Sequence, residues 1–173
     1  MKSVLISIRP KWCELIASGK KTIEVRKTAP KLPTPFKCYI YCTSVKSMNL
    51  QDYVAVHRAT GGAVDDWSGK VFGEFVCTRI DEAHWEHITG YAGWNIGWIG
   101  NCCLSNDDLM TYAGNKNTIY GWHISDVKIY DKPKELSEFI GLRKTKFGFE
   151  PVAIKRPPQS WCYVEGDETE ERQ

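Results

Sequence analysis

The stretch that most constrains this chain lies near its start: Ser7-Ile8-Arg9-Pro10-Lys11-Trp12, then Gly19-Lys20-Lys21-Thr22-Ile23-Glu24-Val25-Arg26-Lys27. Val4 to Ile8 reads as a short strand. Pro10 suits the first turn of a helix, where its missing amide hydrogen would have no partner anyway. Trp12, Leu15 and Ile16 give that helix one apolar face, and Gly19 supplies its stop. Lys21 to Lys27 then reads as a second strand. Side chains alternate along a strand, so Lys21, Ile23 and Val25 point one way and Thr22, Glu24 and Arg26 the other. One face thus carries a hydroxyl, a carboxylate and a guanidinium in a row. Such a row belongs on a solvated surface or on the polar wall of a pocket.

The later segments extend the pattern. Pro30, Pro33 and Pro35 force a loop. Phe36 to Thr43 has the Tyr and Ile content of a strand. Residues 44–68, broken by Gly61-Gly62, read as loop with a short helix. Val71 to Ile80 reads as a strand in which Gly73 marks a bulge or a close backbone approach. Residues 81–103 are rich in Trp, Gly and His. Ser105 caps a helix running to Tyr112, with Asp107 and Asp108 in its first turn and Gly114 after it. Tyr120 to Tyr130 is a long strand. Pro133 opens a helical turn carrying Leu136, Phe139 and Ile140. Trp161 to Val164 is a last strand. The expected architecture is α+β: a small mixed β-barrel with helices packed on its outside. Residues 1–165 are expected to form a single domain, and residues 166–173 a disordered acidic tail.

Composition excludes little. The chain has 173 residues, 42% hydrophobic and 25% charged, which suffices for one sizeable core. A net charge of +2 does not by itself argue for a polyanion partner. The sign is uneven, however: residues 1–46 hold ten Lys or Arg against only Glu14 and Glu24, and the last residues are acidic. Polyanion binding therefore stays open. Seven cysteines, an odd number, follow no signal peptide and read as reduced thiols of a cytoplasmic protein. No apolar run approaches the length of a membrane span. His84 and His87 with Cys102 and Cys103 lack the Cys-x-x-Cys spacing of a structural zinc site, so no metal and no cofactor are expected. Trp12, Trp85, Trp94, Trp98, Trp122 and Trp161 are candidate base-stacking rings or core fillers, and Trp94 and Trp98, set among glycines, are the ones expected outside the core.

Arg9-Pro10-Lys11-Trp12 followed by Gly19-x-Lys21-Thr22-x-Glu24-x-Arg26 resembles the signature of the ASCH domain, of the PUA-like superfamily. Tyr120-Gly121-Trp122-His123-Ile124-Ser125 and Pro157-Pro158-Gln159-Ser160-Trp161-Cys162-Tyr163 resemble a subgroup encoded by bacteria and their phages. The resemblance implies a barrel fold and an RNA or nucleotide ligand held in a cleft beside the first helix. It also implies that some relatives are enzymes, one a ribonuclease. One group hydrolyses N4-acetylcytidine with a Lys, a Thr and a Glu. Lys21 matches that lysine, Glu24 stands where that threonine falls, and Glu74 is a glutamate candidate by residue type alone.

Three functions follow as expectations. The first is a binding module for RNA or a nucleotide-like ligand, with Arg9, Lys21, Thr22, Glu24, Arg26, Trp122 and Ser125 at the ligand. The second is a metal-independent hydrolase of RNA or a modified nucleoside. There Lys21 is the base or electrostatic stabiliser, Glu24 its orienting partner and Arg26 the substrate grip. Alternation, which sets Lys21 opposite Glu24, counts against it unless the turn at Gly19 reorients the lysine. The third is a protein-interaction domain.

Overall fold

The computed structural model describes residues 1–88, 91–95 and 97–166. It begins as the sequence reading expects, with β1 (Lys2–Ile8), α1 (Pro10–Ala17) and β2 (Ile23–Arg26). Pro10 opens α1, and Gly19, at φ +75°, ends it in a conformation that favours glycine. The Lys21 amide then donates to the Leu15 carbonyl at 2.9 Å, so Lys21 lies in the helix-terminal turn and not in the strand.

The chain continues through β3 (Phe36–Cys42), α2 (Leu50–Ala59), α3 (Ala63–Trp67), β4 (Val71–Ile88) and β5 (Tyr91–Trp94). Next come α4 (Ile99–Cys102), α5 (Asn106–Ala113), β6 (Thr118–Lys134), β7 (Ile140–Thr145), β8 (Gly148–Ala153) and β9 (Trp161–Glu165). Residues 44–68, expected to be mostly loop, hold two helices. The Asn49 side chain caps the first by accepting from the Asp52 amide, and Gly62, at φ +89°, starts the second. The expected cap of α5 is present as a reciprocal Ser105–Asp108 box.

The strands pair in the order β2-β6-β4-β3-β1-β9-β7-β8, with β5 hanging from β4. Only β1 and β3 run parallel; the other ladders among the described residues are antiparallel. The expected pairing of the second strand with β1 or β3 is corrected: β2 pairs with β6, because β1 is already bracketed by β3 and β9. The sheet is not a closed barrel. Its end strands β2 and β8 share no ladder among the described residues. It curls instead at register shifts where β4 crosses β6. Curling brings β2 back against β1 through a side chain: Arg26 Nη2 donates to the Ser7 carbonyl at 2.7 Å.

Two more expectations are corrected in part. Pro133 itself lies in β6, where the ladder jumps from Ile129 to Lys134; the expected helical turn follows it as a short 3-10 turn over Leu136–Glu138, with Phe139 just beyond. Ile140 starts β7, the first arm of a β7–β8 hairpin that was not anticipated. The tail beyond Gly166 lies outside the described residues.

Gly73 is a close approach, as expected: a Cβ there would stand 2.6 Å from the Lys128 carbonyl and 3.2 Å from Ile129 Cδ1. Gly73→Ala is therefore expected to cost about 1–3 kcal/mol, the usual range for overpacking. Chemical denaturation with an unchanged midpoint would contradict this.

Candidate functional site

Alternation along β2 sorts its residues between two cores. Ile23 and Val25 are buried with Trp94, Trp98, Cys102, Leu109 and Ile119. Each such side chain contributes about 1.5–3 kcal/mol by leaving water. That packing holds a four-residue strand in place. Glu24 and Arg26 point the other way. Glu24 lies across the ladder from Trp122, and Arg26 from Tyr120. Trp122 is fully buried in the larger core, with Val4, Ile6, Ile8, Cys13 and Phe75.

Three charged groups converge there. Lys21 Nζ is 3.4 Å from Glu24 Oε2, and Arg26 Nη2 is 2.9 Å from Glu24 Oε1. Lys21 also donates to the Cys102 carbonyl at 2.6 Å and lies 5.2 Å from the centre of the Trp12 ring. Arg26 donates from Nη2 to Ser7 O and from Nη1 to Ser160 Oγ at 3.3 Å. Ser7 Oγ donates to Pro158 O at 2.6 Å, which ties the segment before β9 over the cluster. Lys21, Glu24 and Arg26 are only 2%, 6% and 8% exposed. Two cations thus share one carboxylate beneath the surface. Arg26 Nε, Trp122 Nε1 and, in the second core, Trp94 Nε1 are buried and find no acceptor among the described residues.

The turn at Gly19 resolves the conflict over Lys21. It places Lys21 ahead of the strand, so strand alternation does not apply and its ammonium reaches Glu24. The other predicted site residues fall elsewhere. Arg9 is exposed at the N-cap of α1. Thr22 is exposed, with its backbone bound to Asn101 and Ile124. Ser125 turns to Asp126 at 2.7 Å. Glu74 is held by Lys37 and by the Tyr130 hydroxyl. Burial pushes its carboxyl up, but the Tyr130 hydrogen bond and Lys37 outweigh this and hold it below its usual range.

Ser7, Ser160 and the Cys102 carbonyl are members that the sequence reading does not name as site residues, and Trp12, a candidate stacking ring, lies beside Lys21. Trp94 and Trp98 are buried, at 4% and 8% exposure, correcting the expectation that they sit outside the core. Gly121 of β6 admits Trp98 against its backbone: a Cβ there would stand 2.8 Å from the Trp98 ring.

Burial pushes the Cys13 thiol well up, with Cys42 adding to it, and raises Cys77 to about 12, so these thiols stay protonated. All seven cysteines are free. Among the described residues no three His, Cys, Asp or Glu side chains converge as metal ligands; the His87 side chain lies outside them. His123 is bound to Asp81 at 2.7 Å and lies 3.1 Å from Arg79. A cavity of about 200 Å³ is lined by Lys134, Glu138, Phe139, Ile140, Glu165 and Gly166. No described helix is long and apolar enough to cross a membrane.

A curled mixed sheet, a Pro-led helix after its first strand and a buried Lys–Glu–Arg cluster where that helix runs into the second define an α+β fold of PUA-like type. The model of the ASCH domain matches residues 6–157, and the chain belongs to that family. Among solved structures it is similar to ASCH from Zymomonas mobilis, at 17% identity, covering 94% of this chain and 87% of that one with a TM-score of 0.55. Two point variants of that protein match at 19% identity and a TM-score of 0.54; they cover 95% and 94% of this chain and 91% and 88% of theirs. At such identities the likeness shows the fold alone. No curated protein matches.

Proposed function

We propose that residues 1–165 act as one RNA- or nucleotide-binding module, with the ligand's anionic group taken by the Lys21–Glu24–Arg26 cluster beside α1. One observation carries this reading: two buried cations share a single carboxylate. A buried charge needs a partner, and here one positive charge is left over. A phosphate would supply it, and the unpartnered Arg26 Nε and Trp122 Nε1 supply two further donors. Ser160, at 3.3 Å from Arg26, is the group such an oxygen would displace. Exposed Arg9 and Lys11 at the start of α1 and exposed Lys27 just after β2 add positive charge that would attract a polyanion.

The test is equilibrium binding of short single-stranded RNAs to wild type, Lys21→Ala and Arg26→Ala over a range of salt. Either variant leaves Glu24 with one cation, so both are expected to fold. Loss of a charge-assisted bond worth about 1.5–3 kcal/mol predicts a roughly 10- to 150-fold weaker complex. The salt slope should fall by about 0.7 per contact. Wild-type affinity in both variants would place the site elsewhere.

The Lys21–Glu24 contact favours a second reading, a metal-independent hydrolase in which Lys21 stabilises developing negative charge and Glu24 orients it. Turnover of RNA or N4-acetylcytidine that survives chelator and disappears in Lys21→Ala would establish it. Binding without turnover rejects it.

A further inference from the structure

Four aromatic rings form a row from the β7–β8 hairpin to the charged cluster. Phe149 of β8 meets Tyr163 of β9 edge-on, with centroids 5.3 Å apart. Tyr163 meets Trp161 at 5.3 Å, and Trp161 meets Trp122 at 5.9 Å. Trp161 and Tyr163 are two apart on β9 and share the face of their register partners Ile6 and Val4. The last ring, Trp122, is the cross-strand neighbour of Glu24.

Core packing explains Trp122, which is fully buried. Trp161 and Tyr163 pack partly against the same core, Trp161 Nε1 donates to Thr28 Oγ1 at 3.0 Å, and the Tyr163 hydroxyl accepts from the Lys31 amide at 2.8 Å; with Phe149 they stay half-buried in unbroken succession. Cations border them. Lys2 Nζ lies 3.5 Å from the Phe149 centroid and 5.3 Å from that of Tyr163. Exposed Lys155 and Arg156 open the linker that ends at Ser160 and Trp161. Of the nearby carboxylates, Glu150 pairs with Arg143 at 3.5 Å.

We infer that a single-stranded RNA segment runs along this row, with bases on Phe149, Tyr163 and Trp161 and phosphates at Lys2, Lys155 and Arg156. One end of the segment enters the Lys21–Glu24–Arg26 cluster. The inference rests on the RNA-binding reading above and adds a track that the first helix does not form. Rings interleaved with cations suit this occupant: every base offers a π-face to an aromatic side chain, and the cations follow the backbone. A duplex hides those faces, so the track discriminates against it.

The experiment measures binding of a labelled RNA dodecamer, the same strand in a duplex, and a dinucleotide. Phe149→Ala, Phe149→Leu and Lys155→Ala/Arg156→Ala are compared with wild type, with thermal melting to confirm folding. Loss of one stacked base predicts about tenfold weaker dodecamer binding in both Phe149 variants, with the dinucleotide unchanged. The leucine variant keeps apolar packing, so its loss reports the ring. The Lys155/Arg156 variant should lower the salt slope by about 0.7 per contact. If both Phe149 variants and the Lys155/Arg156 variant bind the dodecamer like wild type while Lys21→Ala does not, the row is overturned and the cluster stands. Equal affinity of wild type for strand and duplex also overturns the row. If wild type binds no RNA of any length, both readings fall.

Discussion

Glu24→Ala is expected to be the most damaging single change in the cluster, lowering stability by about 3–5 kcal/mol. The variant leaves Lys21 and Arg26 beneath the surface with no carboxylate between them. Arg26 is held in place by β2, which Ile23 and Val25 anchor in the second core, and Lys21 by its backbone bond to Leu15 and its bond to the Cys102 carbonyl. For a chain of this length the expected fall in melting temperature is about 6–20 °C. Phosphate or sulfate should recover more stability in Glu24→Ala than in wild type, since an added anion then replaces the missing carboxylate. A melting temperature within about 2 °C of wild type would show that water already reaches the cluster. A companion variant separates stability from function: Lys21→Met/Glu24→Met/Arg26→Leu removes all three charges together. Apolar replacement of a buried ion cluster is often neutral or stabilising. If this variant melts at or above the wild-type temperature and binds no RNA, the charges serve the ligand and not the fold.

The first 27 residues were the most legible part of the chain, for a physical reason. Pro10 and Gly19 bound the helix by backbone chemistry alone, and the alternation of Ile23 and Val25 with Glu24 and Arg26 predicts two faces that do meet two environments. Lys21 was misplaced by the same rule, because a left-handed glycine two residues earlier takes it out of the strand. Partners distant in sequence were not legible. Ser160 reaches Arg26 only because β9 pairs with β1, and the Cys102 carbonyl reaches Lys21 only because α4 packs on β2. The β7–β8 hairpin was missed because its alternation is weak: most of its residues are exposed, so no apolar period announces it. Closure of the sheet was over-read for a related reason. Bulges in β4 and β6 set the curl, and where they fall depends on pairings that one strand's sequence does not contain.

Trp122 should separate packing from recognition. Its ring contacts Phe36 at 6.0 Å and Trp161 at 5.9 Å between centroids, and it has no exposure at all. Trp122→Ala is expected to cost about 3–5 kcal/mol, the range for emptying a large aromatic site in a core that relaxes only partly. That again corresponds to about 6–20 °C in melting temperature. Trp122→Phe behaves differently. It keeps an aromatic ring and removes an indole N–H that has no acceptor among the described residues. Leaving such a donor unsatisfied costs about 1–3 kcal/mol, so its removal offsets part of the lost ring volume. Phenylalanine should therefore cost less than half of what alanine costs. The binding result is the more telling. If the N–H serves the ligand, Trp122→Phe weakens RNA binding while melting close to wild type. A phenylalanine variant with wild-type affinity would assign Trp122 to the core alone. Arg26 and Lys21 would then be the groups that meet the anion.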